Sequence, residues 1–127
     1  MRILFKKKDG GPFSKATGYW LIEWKRAFSI VLLRFDSGSR DAYHDHAFNA
    51  ISWVLSGGLL EKYRGGFEKT HKASITPIWT PRECFHKVFG LHDRTWVLSF
   101  RGPWVDQWRE DLPNRGIINL THGRKEV

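Results

Sequence analysis

Apolar and polar residues alternate with a period of two along much of this chain, the repeat of an extended strand whose successive side chains face opposite sides. Trp20, Ile22 and Trp24 alternate with Leu21, Glu23 and Lys25, which predicts a strand over about 18–25 with its aromatic residues on one face. Residues 27–35 are β-branched or aromatic on both faces, the pattern of a strand buried on both sides. A turn-forming cluster, Asp36-Ser37-Gly38-Ser39, ends it and leads into Tyr43-His44-Asp45-His46. Phe48 to Leu55 is again strand-like. Leu59 to Tyr63 resumes after Gly57-Gly58, so the two segments predict a hairpin. Gly65-Gly66 opens a polar, Lys-rich loop that holds His71. Ala73 to Trp79 is a further strand candidate, hemmed in by Pro77 and Pro81. Phe85 to Phe89, Arg94 to Arg101 and Gly116 to Leu120 complete the set, and only Val105 to Asp111 reads as a helical turn. About eight short strands separated by turns predict an all-β sandwich or barrel with little helix. One domain spans 1–127, with its barrel core at about 18–120 and residues 1–17 as a loop or strand extension.

Composition agrees with a packed domain. The hydrophobic fraction is 41% and the aromatic fraction 15%, with seven Trp, too much apolar surface for a disordered chain. The surplus of Trp and Phe suggests that some rings are covered by a partner subunit, so a homodimer is expected. Cys84 is the only cysteine, which excludes an intrachain disulfide and fits a reducing cytoplasm. The apolar start, Met1-Arg2-Ile3-Leu4-Phe5, is too short for a signal peptide, and no stretch is long enough to span a bilayer. No membrane partner is expected. Lys and Arg exceed Asp and Glu by 21 to 13, giving +8, which favours anionic partners. The basic residues are scattered, so nucleic acid is a weaker expectation than a solvated basic surface or a small anionic ligand.

The chemistry in the chain lies in its histidines. In an extended segment His44 and His46 point to the same side and offer half of a metal site for zinc, iron, nickel, copper or manganese. Such ligands bind at about 2.0–2.3 Å and need completion from elsewhere in the chain. His86 supplies the third imidazole. Cys84, two residues before it, shares its face if the strand already starts there, and is a possible additional ligand; otherwise it is apolar filler. His71, His92 and His122 read as solvated, or as approaching the mouth to act as a general base. No nucleophile elbow, phosphate-binding Gly-rich loop or paired zinc-finger cysteines occur.

Gly38, five intervening residues, His44-Asp45-His46 and then Gly57 reproduce the spacing of the first cupin motif. Pro81-Arg82-Glu83-Cys84-Phe85-His86, with Gly90 in the last position, matches the second motif in spacing while retaining only its Pro and His. The chain thus resembles a cupin over about residues 38–90. More narrowly, His44 to Gly58, Trp96-Val97-Leu98 and Leu120-Thr121-His122-Gly123-Arg124 resemble small, uncharacterised cupin-like proteins of phages and bacteria; a phage source would mean a host cytoplasm. The resemblance implies a double-stranded β-helix, or jelly roll, with a metal ion in its mouth held by His44, His46 and His86. It departs from the family where the carboxylate ligand is expected, since that position is Ala50. A three-His site, as in the cysteine-dioxygenase-like branch, leaves the ion with its full charge and with open positions; the alternative is that the missing ligand means weak or lost metal binding.

By strand parity Phe48, Ala50, Ser52 and Val54 line the pocket with His46, while Asn49, Ile51, Trp53 and Leu55 face away. Arg34 and Arg101 interrupt apolar strands, so either enters the cavity to hold a carboxylate or phosphate, or snorkels at a strand end. Two functions fit. One is a metal-dependent enzyme acting on a small anionic molecule with iron, zinc, nickel or manganese. The other is a non-catalytic module that binds a small ligand or an anionic macromolecule.

Overall fold

The computed structural model describes residues 1–9, 14–37, 43–112 and 115–127. Its strands are β1 (Arg2–Lys8), β2 (Ala16–Trp24), β3 (Phe28–Phe35), β4 (Tyr43–His44), β5 (Ala50–Ser56), β6 (Gly58–Tyr63), β7 (Glu68–Lys72), β8 (Ile78–Thr80), β9 (His86–Gly90), β10 (Thr95–Arg101), β11 (Trp108–Leu112), β12 (Gly116–Thr121) and β13 (Lys125–Glu126). They form two antiparallel sheets, ordered β1-β2-β3-β10-β5-β8 and β13-β12-β11-β4-β9-β6-β7. The one helical element among the described residues is a 3-10 turn at His122–Arg124. Residues 1–17, left open as loop or strand, contribute β1 and the start of β2. Gly38 and Ser39, part of the expected turn and of the cupin-like spacing, lie outside the described residues.

Neighbouring segments in sequence often lie in different sheets, which corrects one expectation. The strands flanking Gly57 do not form a hairpin: β5 belongs to the first sheet and β6 to the second. Gly57 has φ +80, and a Cβ there would run into the Thr95 side chain. It is a corner that only glycine fits. Thr95, fully buried, braces this corner by accepting the Gly58 N–H at 3.3 Å and donating to the His92 carbonyl at 3.0 Å.

Three further expectations change. Val105–Asp111 holds no helix; Trp108–Leu112 is β11, drawn into the sheet by pairing with β12 and β4. The polar loop after Gly66 is β7, a strand at the sheet edge that among the described residues pairs with β6 alone, so its outer side is free to be polar. Ala73–Trp79 shrinks to β8 because residues 73–77 bend. Trp20, Ile22 and Trp24 also fail to share one face. A bulge between Trp20 and Ile22 turns Trp20 inward, at 5% exposure, and leaves Trp24 outward.

Trp20, Val31, Leu33, Val54, Leu59 and Val97 fill one end of the space between the sheets. Each contributes about 1.5–3 kcal/mol by burial. Ala47, Phe48 and Ala50, with Trp104 and Trp108, line the other end, so the sandwich opens as a cavity there. The Trp20 ring lies over Gly18, where any Cβ would overlap it, and is pinned from the other side by stacking on Phe5 at 5.1 Å. Gly18→Ala is therefore expected to destabilise the fold by about 1–3 kcal/mol through overpacking. Urea denaturation measures this, and an unchanged midpoint would contradict the packing described.

Candidate metal centre

β4 is two residues long, and its register explains how the first imidazoles are placed. His44 pairs directly with His86 of β9 on one side and with Glu110 of β11 on the other. Asp45 turns the opposite way, where its carboxylate accepts the Arg109 backbone N–H and, at 2.8 Å, its Nε. That anchor ties the segment to β11 and leaves His46 on the His44 side. The His46 N–H donates to the Arg82 carbonyl at 3.0 Å, which holds the backbone beyond the strand.

The three rings converge. Centroids lie 4.9 Å apart for His44–His46, 5.2 Å for His44–His86 and 4.8 Å for His46–His86, all edge to face. One nitrogen from each ring lies within 4.8 Å of the others. His46 Nε2 and His86 Nε2 are 3.3 Å apart, close to the edge expected between two nitrogens sharing one cation at about 2.1 Å.

Glu61 of β6 sets the protonation of this pair. Its carboxylate accepts from His86 Nδ1, from the Tyr63 hydroxyl at 2.7 Å and from His71 Nε2 at 2.8 Å. With its Nδ1 proton committed to Glu61, His86 turns a lone pair at Nε2 toward His46. If His46 answered with a proton on Nε2, its buried Nδ1 would remain an acceptor without a partner. A cation among the three rings would instead take up both Nε2 lone pairs, with the His46 proton then on Nδ1, so the residues present fit a metal ion.

The electrostatics also favour neutral, ligand-competent imidazole. Burial first, then the charges of His44, His86 and Arg101, holds His46 well below its usual value of 6.5. Burial pushes the Glu61 carboxyl up, but hydrogen bonds from His86, Tyr63 and His71 outweigh it and bring it down to about 2. Both folded values lie below the unfolded ones, so both groups stabilise the fold at higher pH. In the presence of a chelator, stability is expected to decline as pH falls below 6.5, where unfolding lets His46 take up a proton. A second decline follows below 4.5, as the pH approaches the Glu61 value near 2. Urea midpoints between pH 8 and 3 test this, and a flat profile from 7.5 to 5 contradicts the His46 assignment.

The cavity above the rings has a volume of about 640 Å³. Phe48, Ala50 and Ser52 line it, as parity predicts, while Val54 lies deeper in the core. Arg101 also lines it, buried, with its guanidinium forked onto Asp9 at 2.8 and 3.3 Å and 4.6 Å from the Phe48 ring centre. Arg34 does not reach the cavity. It sits in register with Trp96 on the outer face of its sheet, near the Tyr19 hydroxyl at 3.4 Å and Asp36 at 3.6 Å.

Cys84 does not join the three-histidine group, because β9 begins only at His86 and residues 81–84 form a turn closed by Cys84 N–H to the Pro81 carbonyl at 3.0 Å. It lies instead within 4.8 Å of Glu61 and His86. Burial, then the Glu61 charge, pushes its thiol up to about 11, so it is protonated at neutral pH. His71, expected in solvent, is drawn in by Glu61 to 11% side-chain exposure. His92 is exposed, and His122 stacks on Trp104 at 5.7 Å.

The cavity residues that sequence patterning missed include Glu61 and Glu110, along with Lys25, Trp104 and Trp108. Glu61 shares parity with Leu59, which puts a carboxylate on the inward face of β6, and that was the available signal. Glu110, 2% exposed, is met by Arg124 Nη2 at 2.9 Å. Nothing in Trp108–Leu112 marks it, because the side facing inward depends on pairing with β4. Gly90 stands where the cupin motif carries Asn, and a Cβ there would approach the Asp36 carbonyl to 2.5 Å. That departure follows from the close passage of two backbones.

No family model matches the sequence, and no curated protein does. Solved structures do. The chain is similar to the polyketide cyclase RemF from Streptomyces resistomycificus, with a TM-score of 0.70 at 14% identity over 89% of this chain and 83% of that one. A sugar phosphate isomerase of the cupin superfamily, SPO2919 from Silicibacter pomeroyi, aligns over 98% of this chain and 92% of its own, with a TM-score of 0.62 at 13% identity. The iron(II) form of HppE aligns over 76% of this chain and 54% of its own, with a TM-score of 0.62 at 15% identity. With two facing antiparallel sheets and these matches, the fold of this chain is the cupin fold.

Proposed function

We propose that this protein is a metal-dependent cupin enzyme acting on a small anionic molecule, with His44, His46 and His86 holding a divalent transition ion, either iron, zinc, nickel or manganese. The carrying observation is the convergence of three ring nitrogens within 4.8 Å in a cavity of about 640 Å³. When bound, such an ion supplies Lewis acidity and, for iron, redox chemistry. The iron(II) state of HppE and the small organic substrates named for RemF and the isomerase support this class of activity.

The chain's own residues supply the rest. Lys7, Lys8 and Lys25 line the cavity and draw in an anion, with Lys25 Nζ 4.6 Å from the centre of the Trp104 ring. Phe48, Trp104 and Trp108 offer apolar walls for the body of the ligand and displace water from it. Arg101 is neutralised by Asp9 and so orients the wall more than it attracts charge. Glu110, opposite His44 in register and held by Arg124 at 2.9 Å, is a buried carboxylate on the cavity wall.

Protein purified without chelator and offered Fe(II), Mn(II), Ni(II) and Zn(II) in turn is expected to retain about one ion per chain, read by elemental analysis. Failure to retain any of the four at stoichiometry overturns the reading.

A further inference from the structure

A second group of donor atoms lies on the Nδ1 side of His86, away from the other two rings. Among the described residues, Glu61, Cys84 and His86 each offer one ligand atom within 4.8 Å of the other two. Three segments bring them together. β6 carries Glu61 on its inward face, β9 begins with His86 in register with Tyr63, and the turn over residues 81–84 ends in Cys84 just ahead of β9. A cysteine that only fills space sits among apolar side chains. Cys84 instead stands within reach of a carboxylate and an imidazole, and it is only half-buried, so an ion can reach it from outside. The carboxylate is already oriented. Its Oε1 accepts from Tyr63 at 2.7 Å and from His71 at 2.8 Å, which fixes the group and leaves Oε2 turned toward His86 Nδ1.

We propose that Glu61, Cys84 and His86 form a second metal site, selective for a thiophilic divalent ion, that competes with the three-histidine centre for His86. Donor chemistry separates the two. Three neutral imidazoles suit first-row ions, whereas a thiolate selects a softer one. A carboxylate and a thiolate together also cancel the ion's charge, which lowers the cost of holding it beside Glu61 and His86, each 4% exposed. Competition follows from the ring itself, because a neutral imidazole has one proton and one lone pair. With the proton on Nδ1 and given to Glu61, the lone pair at Nε2 serves an ion held with His44 and His46. With the proton on Nε2 and donated to His46 Nε2 at 3.3 Å, the lone pair at Nδ1 serves an ion held with Glu61 and Cys84. On binding at the second site the thiol releases its proton to solvent and the His86 proton passes from Nδ1 to Nε2. One chain therefore holds one ion, in one place or the other. Only this exclusion rests on the three-histidine reading; the second site stands without it.

Cadmium(II) is the probe. Titrated into the metal-free chain, it is expected to bind at one ion per chain and to give thiolate-to-metal charge-transfer absorption, for which Cys84 is the only source. Added to nickel-loaded protein, it should release nickel mole for mole. His44→Ala, which alters the first site alone, is expected to keep the charge-transfer band. Glu61→Gln should lower cadmium affinity about 10-fold or more, and Cys84→Ser about 100-fold. NMR of the unmodified protein with nitrogen-labelled histidine keeps the test decisive even if a variant fails to fold: cadmium should couple to a single ring nitrogen, Nδ1 of His86. Absence of stoichiometric binding, cadmium bound without the charge-transfer band, or coupling to three histidines overturns the proposal. A thiolate band with unchanged affinity in Glu61→Gln does so as well, since it would report an accessible thiol and no built site. Failure of nickel to bind would count against the three-histidine centre and would leave the cadmium result to judge the second site.

Discussion

His86→Ala is expected to remove stoichiometric metal binding and to lower the stability of the metal-free protein as well. The first effect follows from ligand count. Four-ligand zinc sites bind with about 10–16 kcal/mol, so one ligand carries about 2.5–4 kcal/mol, a loss of about 70–900-fold in affinity. The second follows from Glu61, whose buried carboxylate loses one of its three donors when the imidazole is removed. Leaving a buried charge short of a partner costs about 1–3 kcal/mol. His44→Ala separates the two effects. His44 belongs to the same ring cluster but is not among the donors of Glu61, so the variant should lose metal to a similar extent and keep more of the metal-free stability. Isothermal titration with Zn(II) and urea denaturation in chelator read the two quantities independently. Retention of full affinity in both variants would remove the three-histidine centre from the account.

The histidine cluster was legible because its geometry is mostly local. His44 and His46 need only two residues of extended chain to share a side, and the resemblance to the cupin motifs named His86 as their partner. The long apolar strands were legible for the same reason, since β3 and β10 announce themselves by β-branched and aromatic content. Sheet assignment was not. Whether Gly57 closes a hairpin or turns a corner depends on Thr95, 38 residues away in sequence, occupying the space a hairpin strand would need. Edge strands were missed because an edge needs little apolar content: β7 reads Glu68-Lys69-Thr70-His71-Lys72 and is held by its backbone pairing with β6. Arg34 and Arg101 look alike in sequence, each a charge in an apolar strand. They face opposite sides because their strands pair in register with Arg34 opposite Trp96 and Arg101 opposite Ser29.

Glu61→Gln is expected to weaken metal binding by about 10–100-fold although Glu61 is not itself in the three-histidine group. The cupin motif expects a carboxylate among the ligands, and this chain has Ala50 there. Glu61 restores the negative charge one step further out, through the Nδ1 of His86. Ionised, it holds the Nδ1 proton in place, raises the basicity of Nε2 and partly offsets the charge of a bound cation. A glutamine keeps the size and one acceptor oxygen but loses the charge. Its NH₂ group would also face donors, since Tyr63 and His71 both converge on the same oxygen, Oε1. The variant should therefore bind metal more weakly even where its fold is intact. Tyr63→Phe is the matched control: it removes a hydrogen bond to Glu61 while leaving the carboxylate charge and its contact with His86. If charge is what matters, Tyr63→Phe should reduce affinity several-fold at most, and Glu61→Gln much more. Equal losses in the two variants, or none in Glu61→Gln, would show that Glu61 serves only to pack and satisfy the interior of β6.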